Sequence, residues 1–178
     1  FFYLLLDDTD IVTGRHLTKI PKAVEEVCQS LDHTPSAVMI CITCVDALLG
    51  TDMDRVCRKS SDRAGVPVVP CYMYALTREK RLPPMASVRK SVYSLLKPLK
   101  RKSDEVNILG YFSPLQEDCE LYSLLKSAGV KTIRELSRCD TFEEYEKMSQ
   151  ANFSLVLNAE ARYAAQQMEQ ELGVPVYF

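Results

Sequence analysis

Histidine is scarce in this chain, with two residues among 178, His16 and His33. They occupy unrelated local settings, His16 opening a helical stretch and His33 beside Pro35, so both read as surface or capping residues. No G-x-G-x-x-G, P-loop or G-x-S-x-G pattern occurs, which disfavours a self-contained dinucleotide enzyme or serine-nucleophile hydrolase. No apolar run approaches the ~20 residues needed to span a bilayer. Phe1 to Leu6 is apolar, but Asp7, Asp8 and Asp10 follow at once, and a signal peptide needs a basic start and a longer apolar core. Neither sign of charge dominates: the net charge is −2, with no global pull toward nucleic acid or membrane. The seven cysteines are odd in number and the chain is not small, which argues against a secreted disulfide framework and for a reducing cytosol, with most thiols as small core residues.

What the chain does have is 47% hydrophobic and 26% charged residues, a globular composition. Helical and strand-like segments alternate from end to end. Asp7–Thr13 reads as a turn or cap. A helix is expected over Leu17–Leu31, with Ile20, Val24, Val27 and Leu31 on one face and Pro35 beyond it. Ala37–Thr43, rich in β-branched residues, reads as a buried strand that leads into Cys44. Further helices are expected near Asp52–Asp62, Ser87–Leu99, Leu115–Ser127, Thr141–Gln150 and Ala159–Leu172. Further strands are expected at Val66–Cys71, Val106–Tyr111, Thr132–Leu136, Phe153–Leu157 and Val174–Phe178. Ser113-Pro114 looks like a cap and first turn, and Pro83-Pro84 like a break.

Ala64-Gly65-Val66, Ala128-Gly129-Val130 and Leu172-Gly173-Val174 each close a helix and open a strand. Glycine takes the left-handed position that ends a helix, and the repeated junction predicts an α/β fold: Rossmann-like parallel sheets with crossover helices, in two lobes. The lobes are expected at residues 1–80 and 81–178, both partial, with Tyr72–Lys102 as the connecting segment. The chain opens and closes inside apolar runs, so it is expected to be the central fragment of a longer polypeptide.

Cys44 would sit at the carboxyl edge of a strand, where ligands gather in open α/β sheets. Three roles stay open for it: soft metal ligand, redox group and packed core residue. Cys41 and Cys44 form a C-x-x-C, but Cys41 lies within the strand-like run, whereas a thioredoxin-type site places its first cysteine at a helix start. Between Arg78 and Lys102 nine cations (Arg78, Lys80, Arg81, Arg89, Lys90, Lys97, Lys100, Arg101, Lys102) face one acid, Glu79. This is either a solvated surface or a docking surface for an acidic partner or anionic ligand. It lacks the aromatic set that nucleic-acid stacking needs.

Six segments in order carry a resemblance. Asp8-Thr9-Asp10-Ile11-Val12-Thr13-Gly14 resembles an Asp-x-Val-Phe-Gly-Gly segment. Pro35-Ser36-Ala37-Val38 resembles Pro-x-Ala-Ile. Cys44-Val45-Asp46-Ala47-Leu48-Leu49-Gly50-Thr51-Asp52 resembles the motif Cys-x-x-x-x-Ile-Gly-Asp-Asp. Gly65-Val66-Pro67-Val68 is similar to Gly-Ile-Pro-Val, and Val106-Asn107-Ile108-Leu109-Gly110 to Val-Asn-Leu-Ile-Gly. Glu120–Gly129 resembles the helix that follows. Together, with Gly173-Val174-Pro175 after the last helix, they resemble the nitrogenase component 1 family, which includes nitrogenase subunits, cofactor-assembly scaffolds and dark-operative protochlorophyllide reductases.

The resemblance implies an oxidoreductase subunit of two Rossmann-like lobes, paired with a homologous subunit and served by an ATP-dependent iron protein as electron donor. It implies an iron–sulfur cluster in the full-length complex, with Cys44 as a ligand and Gly50 and Asp52 beside the cofactor; the isolated fragment is expected to hold none and to be inactive. No catalytic residue is assigned, and neither membrane nor nucleic acid is an expected partner. The family's other cluster cysteines would precede Phe1. Thr51 replaces the first acid of Gly-Asp-Asp, and Leu157 stands about where nitrogenase has the cysteine of its iron–molybdenum cofactor. The implied protein is therefore a divergent relative and not a dinitrogen reductase. The rival reading is a non-catalytic α/β module that binds a small anion or metallo-ligand in an inter-lobe cleft. A third is a thiol oxidoreductase using Cys41 and Cys44.

Overall fold

A computed structural model describes residues 1–42, 44–73 and 82–178. The chain divides into two compact units, Phe1–Leu76 and Thr77–Phe178.

The first unit begins with a short helix α1, Asp8–Val12, where a turn or cap was expected. Its start is a reciprocal cap, with Asp7 accepting from the Asp10 N–H and Asp10 from the Asp7 N–H. Helix α2, His16–Ser30, follows. His16 is not a surface residue: it is buried, with ring Nδ1 3.3 Å from the Asp10 carbonyl. Strand β1, Val38–Ile42, is followed by helices α3, Cys44–Leu49, and α4, Met53–Ala64, and by strand β2, Val68–Tyr72. The two strands pair in parallel, Val38 opposite Val68 through Ile42 opposite Tyr72. Alternation gives the sheet two faces. Val38, Ile40 and Ile42 of β1 and Val68 and Tyr72 of β2 pack with Ile20 and Val24 of α2 and Met53, Val56 and Cys57 of α4. Met39, Cys41, Val69 and Cys71 therefore project from the opposite face. Pro70, which has no N–H for a ladder, is tolerated in β2 as an edge-strand residue.

The second unit holds α5 (Pro84–Tyr93), β3 (Glu105–Leu109), α6 (Glu120–Ser127), β4 (Thr132–Glu135), α7 (Phe142–Glu146), β5 (Phe153–Val156), α8 (Arg162–Leu172) and β6 (Val176–Tyr177). All strands are parallel, in the order β4-β3-β5-β6. Val106 and Ile108 of β3 and Phe153 and Leu155 of β5 pack against Leu121, Tyr122 and Leu125 on the α6 side. Leu109 and Val156 pack against Tyr93, Tyr145, Met148, Ala164, Ala165 and Met168 on the other. Helices thus cover both faces, and the chain reverses its winding direction between β3 and β5, as in doubly wound folds. Gly65 and Gly173 end their helices at φ +71° and +70°, and Gly129 follows α6 at +91°.

Two helices depart from expectation. Pro83-Pro84 is not a break but a start: Pro84 is the first residue of α5, where a missing N–H costs nothing. The helix ends at Tyr93, short of the expected Leu99, and its buried stripe is Ala86, Arg89 and Tyr93. Helix α6 begins at Glu120 instead of Leu115. Leu115 is held out of helical geometry by long-range bonds: its N–H donates to Glu135 Oε2 at 3.0 Å, and its carbonyl accepts from Arg138 Nη2 at 2.9 Å. Glu135 is buried and also accepts from the Tyr122 hydroxyl and from Arg138 Nε at 3.1 Å. Burial, and then that carboxylate, push the Tyr122 phenol pKa up.

Candidate functional site

The carboxyl edge of β1 carries the expected cysteine, one step further on than the sequence suggested. Strand β1 ends at Ile42, and Cys44 is the first residue of α3. Its thiol is exposed, so it is not a packed core residue. On the short α3 helix, Cys44 and Leu48 are four residues apart, as are Val45 and Leu49, which sets all four along one side. Val45, Leu48 and Leu49 are 45%, 72% and 47% exposed, while Ala47 on the other side is buried. The thiol therefore lies in an exposed apolar stripe.

Gly50 and Asp52 shape the turn behind it. Gly50 has φ +67° and empty space where a Cβ would stand, so the backbone conformation, not crowding, selects glycine. Asp52 caps α4, accepting from the Arg55 N–H at 3.0 Å. Thr51, where the resemblance called for an acid, donates its N–H to the Asp46 carbonyl at 3.1 Å. These residues fix how α3 leaves the sheet and how α4 returns.

The remaining cysteines divide by environment. Cys57 is buried, its thiol pKa pushed up to about 12 by burial and then by Asp54, the profile of an inert core residue. Cys28, Cys119 and Cys139 are half-buried. Cys71 is buried, while Cys41 is exposed, so fewer thiols serve as core than the composition suggested. In the C-x-x-C the second cysteine, not the first, opens a helix. Among the described residues, no group of three or more His, Cys, Asp or Glu side chains converges to hold a metal. Cys44 can offer one thiolate; further ligands would have to come from elsewhere.

In the second unit the carboxyl edge at the β3–β5 switch is tightly built. Gly110, at φ +141°, lies against Asn158, and the Leu157 N–H donates to the Leu109 carbonyl at 2.9 Å. Arg89 is buried beneath it, donating Nε to the Gly110 carbonyl at 3.0 Å and Nη1 to the Met85 carbonyl at 3.1 Å. Its Nη1 pairs with Glu160 at 2.9 Å, and its guanidinium stacks 4.6 Å from the Phe112 ring centroid. Sequence reasoning counted Arg89 among surface cations; the spacing Ala86–Arg89–Tyr93 was the signal that it shares the buried stripe. Lys102 pairs with Glu105 at 2.9 Å, and Arg101 Nη2 donates to Asn152 Oδ1 at 3.1 Å. Three of the basic-segment cations are thus engaged within the unit, while Arg78, Lys80 and Arg81 lie outside the described residues. Leu157, 40% exposed at the end of β5, places no thiol at that edge.

Parallel strands joined through helices in both units, doubly wound in the second, define an α/β protein with parallel sheets. The family model described as nitrogenase component 1 type oxidoreductase matches residues 1–178, and the chain belongs to that family. It is 33% identical over 125 residues to the nitrogenase iron-molybdenum cofactor biosynthesis protein NifE of Rhizobium meliloti, covering 68% of this chain and 26% of that protein. It is 27% identical over 176 residues to the nitrogenase molybdenum-iron protein alpha chain of Methanosarcina barkeri, covering 96% of this chain and 32% of the other. Among solved structures, one described as nitrogenase Cp1 at pH 5 superposes with a TM-score of 0.69 at 22% identity, over 96% of this chain and 35% of that one, a likeness of fold. The chain spans roughly a quarter to a third of the length of these relatives. Among the described residues no helix is long and apolar enough to cross a membrane.

Proposed function

We propose that this chain is the part of a nitrogenase component 1-like oxidoreductase subunit that contributes Cys44 to an iron–sulfur cluster. The observation that carries the reading is the exposed Cys44 thiol within the apolar stripe of Val45, Leu48 and Leu49. A soft, accessible thiolate is the standard protein ligand of iron–sulfur clusters. An exposed apolar surface around it is what a covering subunit would bury. A bound cluster supplies one-electron storage and transfer. Gly50 and Asp52 act at the cofactor's side by fixing the turn that orients α3, and Ala47 anchors the helix on its buried side.

The partners in this reading are a paired homologous subunit, which brings further ligands, and an ATP-dependent iron protein that delivers electrons to the cytoplasmic complex. In this reading the subunit's two Rossmann-like lobes take residues 1–80 and 81–178, with Tyr72–Lys102 connecting them. Because Leu157 gives no thiol at the β5 edge, ligation of a second metallocofactor there is not part of the proposal.

The test is anaerobic reconstitution of the full-length protein with its paired subunit, followed by iron and sulfide analysis and electron paramagnetic resonance. Cys44→Ala should lower bound iron and alter the cluster signal, while Cys57→Ala, a core change, should not alter the signal of the folded fraction. Iron content unchanged by Cys44→Ala would reject the assignment and favour the non-catalytic binding module.

A further inference from the structure

The sheet of the first unit has a second face, opposite α2 and α4, and sulfur is concentrated there. Cys41 and Cys71 are direct partners across the parallel β1–β2 ladder, and both side chains project from this face. The Cys71 thiol pKa is pushed up to about 11, by burial first and then by the neighbouring Cys41. Met39, two residues before Cys41, projects from the same face and is half-buried. One thiol, Cys41, is exposed; the other, Cys71, is 4% exposed.

Two distances decide what such a pair can do. Neighbouring strands run about 4.7–4.9 Å apart, and parallel partners keep their Cβ atoms near that spacing. A disulfide needs Cβ atoms about 3.8 Å apart, so direct S–S bonding would require the strands to close in. An ion bridging two sulfurs at about 2.3 Å from each holds them up to ~4.6 Å apart, which strand spacing accommodates. The donor set also restricts the ion. Zinc in a structural site takes four ligands, and no group of three His, Cys, Asp or Glu converges among the described residues. Soft sulfur ligands select soft ions.

We propose that Cys41 and Cys71 form a two-thiolate site for a soft monovalent metal ion of the copper(I) class, with the Met39 thioether as an auxiliary donor. Each thiol releases its proton to solvent as its sulfur binds the ion. One ion thus replaces two protons, and no electron moves. Cys41 gives the ion an entry from solvent, and Cys71 holds it where water is scarce. The site is separate from the Cys44 assignment and stands or falls apart from it.

The test uses the full-length protein, anaerobic and metal-free, titrated with copper(I) against the chelator bathocuproine disulfonate. Wild type and Cys44→Ala should each retain one copper(I) per chain. Cys41→Ser and Cys71→Ser should each weaken retention by at least about tenfold, and Met39→Leu by a smaller factor. Cys41 is exposed, so its serine variant keeps the fold and carries the decision if Cys71→Ser does not fold, which circular dichroism reports. Copper held equally by wild type and Cys41→Ser overturns the proposal, as does wild type that yields its copper as readily as Cys41→Ser. Iron content reads the Cys44 assignment separately.

Discussion

Gly110 is the most exacting position at the carboxyl edge of the second unit, and replacing it with alanine tests how that edge is built. Two costs act together. At φ +141° the backbone lies where L side chains rarely go, worth about 1–3 kcal/mol of strain. The new Cβ would also stand 2.8 Å from both the Asn158 Cβ and the Asn158 backbone nitrogen. Backbone cannot swing aside as a flexible side chain can, so overpacking adds about 1–3 kcal/mol. The sum, about 2–6 kcal/mol, is a large share of the ~5–15 kcal/mol that holds a domain folded, and a fall in melting temperature of roughly 10 °C or more follows. Gly173→Ala is the internal comparison: its φ is +70°, but nothing lies within 4 Å of the added Cβ, so it should cost only the left-handed penalty of about 1–2 kcal/mol. Far-ultraviolet circular dichroism in urea gives the stabilities, since the chain has no tryptophan to follow. Hydrogen exchange at the Leu157 N–H, bonded to Leu109, reads the edge itself. If Gly110→Ala loses no more stability than Gly173→Ala and keeps Leu157 protected, the account of a pinched β3–β5 edge is wrong.

Other outcomes follow from single residues. Asp52→Ala should destabilise the first unit by about 1 kcal/mol through loss of the α4 cap, and Asp52→Asn should restore most of it, as denaturant titrations will read. Asp10 is buried and ion-paired with Lys19, and that bond holds its carboxyl below the ordinary range. Its contribution is therefore complete above the ordinary carboxylate pKa and is lost as pH falls through the depressed folded value; Asp10→Asn should flatten this acid limb of the stability curve. Glu135→Gln should cost about 2–3 kcal/mol by weakening its bonds to Arg138 and to the Leu115 N–H. The same change should bring the Tyr122 pKa down toward its ordinary range, measured by ultraviolet titration.

Local chemistry made the sheets legible, and tertiary chemistry hid the rest. Helix–glycine–strand junctions at Gly65, Gly129 and Gly173 depend only on backbone conformation, so they were readable without partners, and every observed strand pair is parallel. The start of α6 was not readable that way. Ser113-Pro114 is a sound local start signal, but Leu115 answers to Glu135 and Arg138, each 20 or more residues away in the chain. Arg89 misled for a related reason. An arginine in an apolar stripe looks like a phase error until Gly110, Met85 and Glu160 are seen to satisfy it. The cysteines separate the two levels most sharply. That Cys44 follows a strand was visible in the order of residues, and its exposure agrees with the apolar stripe beside it. That Cys41 faces Cys71 depends on strand register, which no local pattern encodes. The C-x-x-C spacing drew attention to Cys41 and Cys44, yet the ladder gives Cys41 a different sulfur neighbour, one 30 positions along the chain. Sequence spacing ranks candidate thiols by proximity along the chain, whereas a parallel sheet ranks them by pairing, and the chemistry open to Cys41 is set by the second.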